Sequence, residues 1–246
     1  MIVTTIAEML HRRNDLSTFL VHFTKPSDDD ESGFDALKSI LWNWRIEART
    51  PYGAARNHPW AADSQRVVCF TETPLEHSWT MTRELAERRT ANFGPYGVAF
   101  TKTHARREGC NPVWYVNHTR GTDWPTLAID DAVSRETRPY SDRQSIFRVT
   151  PFIEQMGDWS GPEGVNRKEF WWEREWRHVG NFTVRPQNTV AVLAPSRDHR
   201  ELMNYLAEDS TWKARNVPIL DPEWGLERMI AVMSGVNPSD LGPFPG

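Results

Sequence analysis

Apolar positions along the chain recur in two periods. Phe34, Leu37, Ile40, Leu41 and Trp44 fall at three- and four-residue spacing, which predicts an amphipathic helix. Other runs are short and rich in β-branched and aromatic residues. They predict strands over 18–24, 66–71, 96–101, 112–116, 147–153 and 189–194, and a further strand from Trp171 that continues to about Val184. Helices are expected near 3–14, from Pro74 to about Arg89 with the proline in the first turn, and near 124–136, 198–208 and 222–234. Polar stretches at 49–64 and 157–168 predict loops, the first long enough for a lid. The run Asp28-Asp29-Asp30-Glu31 predicts a solvated loop, and the Pro/Gly-rich stretch from about Asn237 a loose tail. Strands arrive throughout, with helices between only some of them. That order predicts a single α+β domain over residues 1–246, with a mixed or antiparallel central sheet and flanking helices.

Composition narrows the chemistry. With 246 residues, 39% of them hydrophobic and 25% charged, the chain can bury a large core. A formal charge of −4 argues against a dedicated nucleic-acid binder, so nucleic acid enters only as a substrate. Twelve tryptophans supply buried surface and potential stacking platforms. Cys69 and Cys110 stand alone, without metal-ligand spacing or a disulfide framework, and no metal site is expected. No apolar run has membrane-spanning length and no leader is apparent at the amino terminus, so the expected compartment is the cytoplasm. Phosphate loops, dinucleotide fingerprints, zinc-protease helices and nucleophile elbows are absent from the sequence.

The densest candidate chemistry is Trp171-Trp172-Glu173-Arg174-Glu175-Trp176-Arg177. In an extended chain Glu173, Glu175 and Arg177 share one face, and Trp172, Arg174 and Trp176 the other. Two carboxylates beside tryptophans suit the wall of a polar cleft, where one acid orients a hydroxyl or stabilises a developing cation. A solvated edge strand, or carboxylates neutralised by Arg177, explains the same pattern. His22 and Thr24 share a strand face and suit either ligand contacts or internal hydrogen bonds. Thr71 and Thr73 lie where a strand turns into a helix, and either suits a cap. Tyr96 sits in the turn Phe93-Gly94-Pro95-Tyr96-Gly97, which a hairpin alone would explain.

Taken together, His22-Phe23-Thr24, the Leu37/Ile40/Leu41 helix, the stretches 68–75 and 96–100, and Glu173 to Arg177 resemble the AbiGi family of abortive phage-resistance proteins, some of them antitoxins. The resemblance covers roughly residues 18–194. It implies a cognate toxin or antitoxin, or a phage-derived protein, as partner. An early His-Phe-Thr strand and a late Glu-x-Glu strand are also similar to the layout of ADP-ribosyltransferases such as DarT. That likeness implies an ADP-ribosyltransferase-like fold and NAD as a substrate. It would have His22 and Thr24 holding NAD, Thr71 or Tyr96 lining the nicotinamide pocket, and Glu175 or Glu173 catalytic. Two functions therefore stand open: an NAD-dependent transferase acting on nucleic acid or protein, and a non-catalytic antitoxin or sensor gripping its partner through a Trp/Arg-rich surface.

Overall fold

A computed structural model describes residues 16–25, 32–84, 94–136, 145–161, 164–236, 240 and 242. The helix expected near 3–14, the acidic run 28–31, most of the tail from 237 and the end of the helix expected to reach Arg89 lie outside the described residues. The strands in chain order are β1 (Phe19–Phe23), β2 (Arg45–Ile46), β3 (Val67–Thr71), β4 (Gly97–Thr101), β5 (Asn111–Pro112) and β6 (Trp114–Asn117). They continue with β7 (Ile153–Gly161), β8 (Gly164–Lys168), β9 (Glu175–Val179), β10 (Phe182–Thr183), β11 (Thr189–Leu193) and β12 (Ile219–Leu220). The α-helices are α1 (Gly33–Asn43), α2 (Lys102–Arg107), α3 (Trp124–Ser134), α4 (Ser145–Val149), α5 (His199–Glu208), α6 (Ser210–Arg215) and α7 (Leu226–Met233). The architecture is mixed α+β, with multi-stranded sheet and helices. The chain divides into two compact units, one of residues 1–45, 72–105 and 183–246, the other of residues 46–71 and 106–182.

In the first unit the strand order is β12-β11-β4-β1. β11 runs parallel to β12 and antiparallel to β4, and β4 is antiparallel to β1. Val98, Ala99, Phe100, Ala191, Val192 and Leu193 are all fully buried, which is why these strands read as near-continuous apolar runs. Ser32 starts α1 by accepting a hydrogen bond from the Asp35 amide, and Trp44 ends it in the left-handed region at φ 53°. Leu37 and Leu41 of α1 and Leu202 and Leu206 of α5 face the core. The buried Trp212 indole donates to the Leu41 carbonyl at 3.1 Å, which ties α6 to the end of α1. Within 74–84, the expected long helix is a 3₁₀ turn at Leu75–His77 followed by a π turn at Thr80–Glu84.

In the second unit β9 pairs antiparallel with β3 and with β5, while β7 pairs parallel with β6 and antiparallel with β8. Two sequence expectations change here. The strand expected over 147–153 is α4 followed by a 3₁₀ turn at Thr150–Phe152, and the strand proper begins at Ile153. Pro151 opens that turn because it has no N–H to give a ladder, and Phe147 packs into a cluster with Ala55 and Ala61. Residues 157–161 and 164–168, expected in a loop, are antiparallel strand, with Arg167 and Asp158 ion-paired across the two at 2.8 Å. Gly157, at φ 126°, supplies the backbone freedom that this strand needs. The segment 49–64 is packed through buried Ala55 and Ala61, and Gly53 at φ 94° sits against the Thr150 carbonyl, where no side chain fits.

Candidate functional site

The stretch that was most promising in sequence folds differently from a continuous strand. Trp171–Glu173 forms a 3₁₀ turn, Arg174 ends it in the left-handed region at φ 47°, and only Glu175–Val179 is extended. Glu173 therefore does not share a strand face with Glu175. Glu175 and Arg177 do share one, as period-two alternation requires.

Arg177 is 1% exposed, the largest fully buried side chain among the described residues. Its Nε donates to Glu175 Oε1 at 2.9 Å and its Nη2 to Glu175 Oε2 at 2.9 Å, a two-pronged pairing. Nη2 also donates to Glu154 Oε2 at 2.7 Å, and Nη1 to the Pro151 carbonyl at 2.9 Å. Lys168 donates to the other Glu154 oxygen, and Arg56 approaches it at 3.9 Å. The Tyr52 ring lies over the guanidinium, with the carbon centre 5.5 Å from its centroid. The Tyr115 hydroxyl accepts from the Glu175 amide at 3.1 Å.

A buried guanidinium is tolerable only when its charge and donors are met. Here two carboxylates and one carbonyl meet them. Burial favours a neutral Arg177, but the Glu175 and Glu154 charges outweigh it and hold the group firmly cationic. Burial likewise favours protonated Glu154, yet the Arg177 charge and the hydrogen bonds from Arg177 and Lys168 hold its carboxyl below the usual range. Burial pushes the Tyr115 phenol well above its ordinary value.

The residues expected to form the site fall into two groups, one in each unit. In the second unit Thr71 is the cross-strand partner of Glu175, and its hydroxyl donates to the Glu173 carbonyl at 2.9 Å. Thr71, Glu173 and Glu175 therefore meet at one strand end. In the first unit His22 lies half-buried on β1 opposite Val98. Thr24 is 2% exposed, and its hydroxyl donates to the Gly33 carbonyl at 2.7 Å. Its amide donates to the Tyr96 carbonyl at 2.8 Å, and the Tyr96 hydroxyl donates to Asp198 at 2.9 Å. The hydroxyls of Thr24 and Tyr96 thus each donate within the first unit.

Sequence reasoning missed Glu154, Tyr52, Tyr115 and Lys168. Glu154 carried the one usable signal, an isolated acid directly after the apolar Phe152-Ile153. An acid in a buried strand calls for a cation. What the geometry defines is a structural ion cluster with an aromatic margin, since Tyr52, Trp114 and Trp171 are respectively 37, 57 and 60% exposed. Trp171 accepts from the Arg174 amide, and Trp114 follows Val113, whose amide donates to the Glu175 carbonyl.

An α+β protein whose charged strand is internally neutralised and rimmed by tryptophan is the class these features define. The sequence model described as "Putative abortive phage resistance protein AbiGi, antitoxin" matches residues 38–208, and the chain belongs to this AbiGi family. No curated protein and no solved structure gives a significant match. Among the described residues no helix is long and apolar enough to cross a membrane.

Proposed function

We propose that the protein is the antitoxin of an abortive phage-infection pair, working in the cytoplasm by binding its cognate toxin. The family supports the setting. The observation that carries the binding mode is the exposed Trp114 and Trp171 beside a strand fixed by the Arg177 cluster. Rigid, exposed tryptophans are typical anchors of protein interfaces, because they add large contact area at little cost in side-chain freedom. Arg177 is not part of that surface, because its donors are spent inside.

NAD-dependent ADP-ribosyl transfer is the second reading, in which Glu175 or Glu173 is the catalytic carboxylate, His22 and Thr24 hold NAD, and Thr71 or Tyr96 lines the nicotinamide pocket. It draws on the pairing of Thr71 with Glu175 and the bond from Thr71 to Glu173.

One experiment separates the two. The chain is expressed alone and with the toxin of its pair, growth and co-purification are scored, and the purified chain is incubated with labelled NAD and cell extract. An antitoxin is harmless alone, restores growth, co-purifies with the toxin and transfers no label. Label transfer that disappears with Glu173→Gln or Glu175→Gln would establish the transferase instead.

A further inference from the structure

A shallow groove of about 430 Å³ runs between α1 and α5, lined by Asp35, Lys38, Glu201, Asn204, Tyr205 and Glu208. The spacing within each helix explains it. Glu201, Asn204, Tyr205 and Glu208 fall at i, i+3, i+4 and i+7 on α5, while Asp35, Lys38 and Trp42 fall at i, i+3 and i+7 on α1. The Tyr205 hydroxyl donates to the Lys38 carbonyl at 3.1 Å, which pins the two helices together. Trp42 packs on Tyr205 with ring centroids 6.2 Å apart, yet remains 61% exposed.

The charges in the groove do not balance. Lys38, its single cation, is already engaged, at 3.0 Å from Asp35, 3.5 Å from Glu201 and 4.5 Å from the Phe34 ring centroid. Glu208 has no hydrogen-bond or ion-pair partner among the described residues, although it lies one helical turn from Tyr205 in the same groove. Glu208 lies one helical turn from Tyr205 and the exposed Trp42 is in ring contact with it. A carboxylate with an indole is a pairing that receives a guanidinium or ammonium group, through charge on one side and the ring quadrupole on the other.

We propose that this groove docks a cationic segment of a partner protein, with an arginine or lysine side chain inserted between Trp42 and Glu208. The inference rests on the partner-binding reading and adds the partner's chemistry at a second surface. The opposite charge of groove and segment sets register and on-rate, and the indole supplies the contact area.

The test titrates full-length protein and each variant with N-acetylated, amidated tetra-arginine by isothermal titration calorimetry, and in the wild type also follows the Trp42 indole N–H resonance, assigned through Trp42→Phe. The expected result is a saturable shift of that resonance. Binding should weaken about fivefold in Glu208→Gln, the loss of one exposed charge–ring contact. It should disappear in Trp42→Ala and stay unchanged in Asp63→Asn, which removes an exposed acid of the other unit. Equal binding by wild type and Glu208→Gln, or an equal loss in Asp63→Asn, would overturn the groove and show only attraction to net negative charge. The antitoxin reading is judged separately. If Trp42→Ala and Glu208→Gln both hold the toxin as tightly as wild type, the groove inference falls and the antitoxin reading stands. If wild type does not hold the toxin at all, that reading falls, whatever the peptide does.

Discussion

Arg177 and Glu175, two residues apart on one strand, meet through two hydrogen bonds of 2.9 Å each, with side-chain exposures of 2% and 14%. The pair has a second carboxylate, Glu154, on its far side. Removing the cation should therefore do more harm than removing either acid. Arg177→Met leaves two carboxylates facing each other in a largely buried site and should destabilise the protein by about 3–5 kcal/mol. Arg177→Lys should recover only part of that loss, because an ammonium cannot reproduce the fork that reaches Glu175, Glu154 and the Pro151 carbonyl. Denaturant midpoints of the two variants check this order.

Acid should loosen the same cluster. The Glu154 carboxyl titrates below its ordinary value of 4.5 in the folded protein, so the unfolded chain takes up its proton first as pH falls. Its contribution to stability is then fully present above about pH 5. It declines as pH drops below the ordinary glutamate range and is lost once pH passes the lowered folded value. Thermal melts across pH 3–7 should show this loss, and Glu154→Gln should flatten the profile while lowering stability at neutral pH. A profile with the same slope in that variant would remove Glu154 from the account.

Gly53 should resist substitution. Its φ of 94° disfavours any side chain, and a Cβ would run into the Thr150 carbonyl. Gly53→Ala should cost about 3 kcal/mol or more, combining backbone strain and a clash that must move the turn preceding β7. A fall in melting temperature of only one or two degrees would contradict this packing.

Cys110 should behave as an inert thiol. It is 1% exposed, and burial, with a smaller push from Glu108, raises its pKa from 9.0 to about 12. The thiolate fraction at neutral pH falls by roughly a thousandfold, so alkylation of Cys110 in native protein should be slower than in denaturant by at least that factor. Site-resolved mass spectrometry after timed iodoacetamide labelling measures it.

Much of the fold could be read from the sequence, because period and composition agreed there. The apolar strands at 19–23, 67–71, 97–101 and 189–193 and the helices at 33–43, 124–134 and 199–208 follow the expected spans closely. The misses share a cause, since each depends on partners distant in sequence. Phe147 looks like a strand residue until Ala55 and Ala61 give a helix something to pack against. Residues 157–161 and 164–168, in a Gly/Pro-rich stretch, become strand because β6 offers β7 an edge and β8 pairs on its other side. Nothing local in Glu-Arg-Glu-Trp-Arg announces that Arg174 breaks the strand or that Arg177 is buried, since the second acid that makes its burial tolerable lies 23 residues earlier.

On the proposed antitoxin reading the protein neutralises its toxin by binding, and its acids serve structure rather than catalysis. Glu173→Gln is the cleanest probe, because the groups that meet the Arg177 donors are Glu175, Glu154 and the Pro151 carbonyl, so the substitution leaves those bonds in place. The decisive measurement is growth rescue by this variant on co-expression with the toxin, alongside wild type at matched protein levels. Rescue equal to wild type is the predicted result. Loss of rescue in a variant that still folds and still binds the toxin would contradict the account and point to chemistry at that carboxylate.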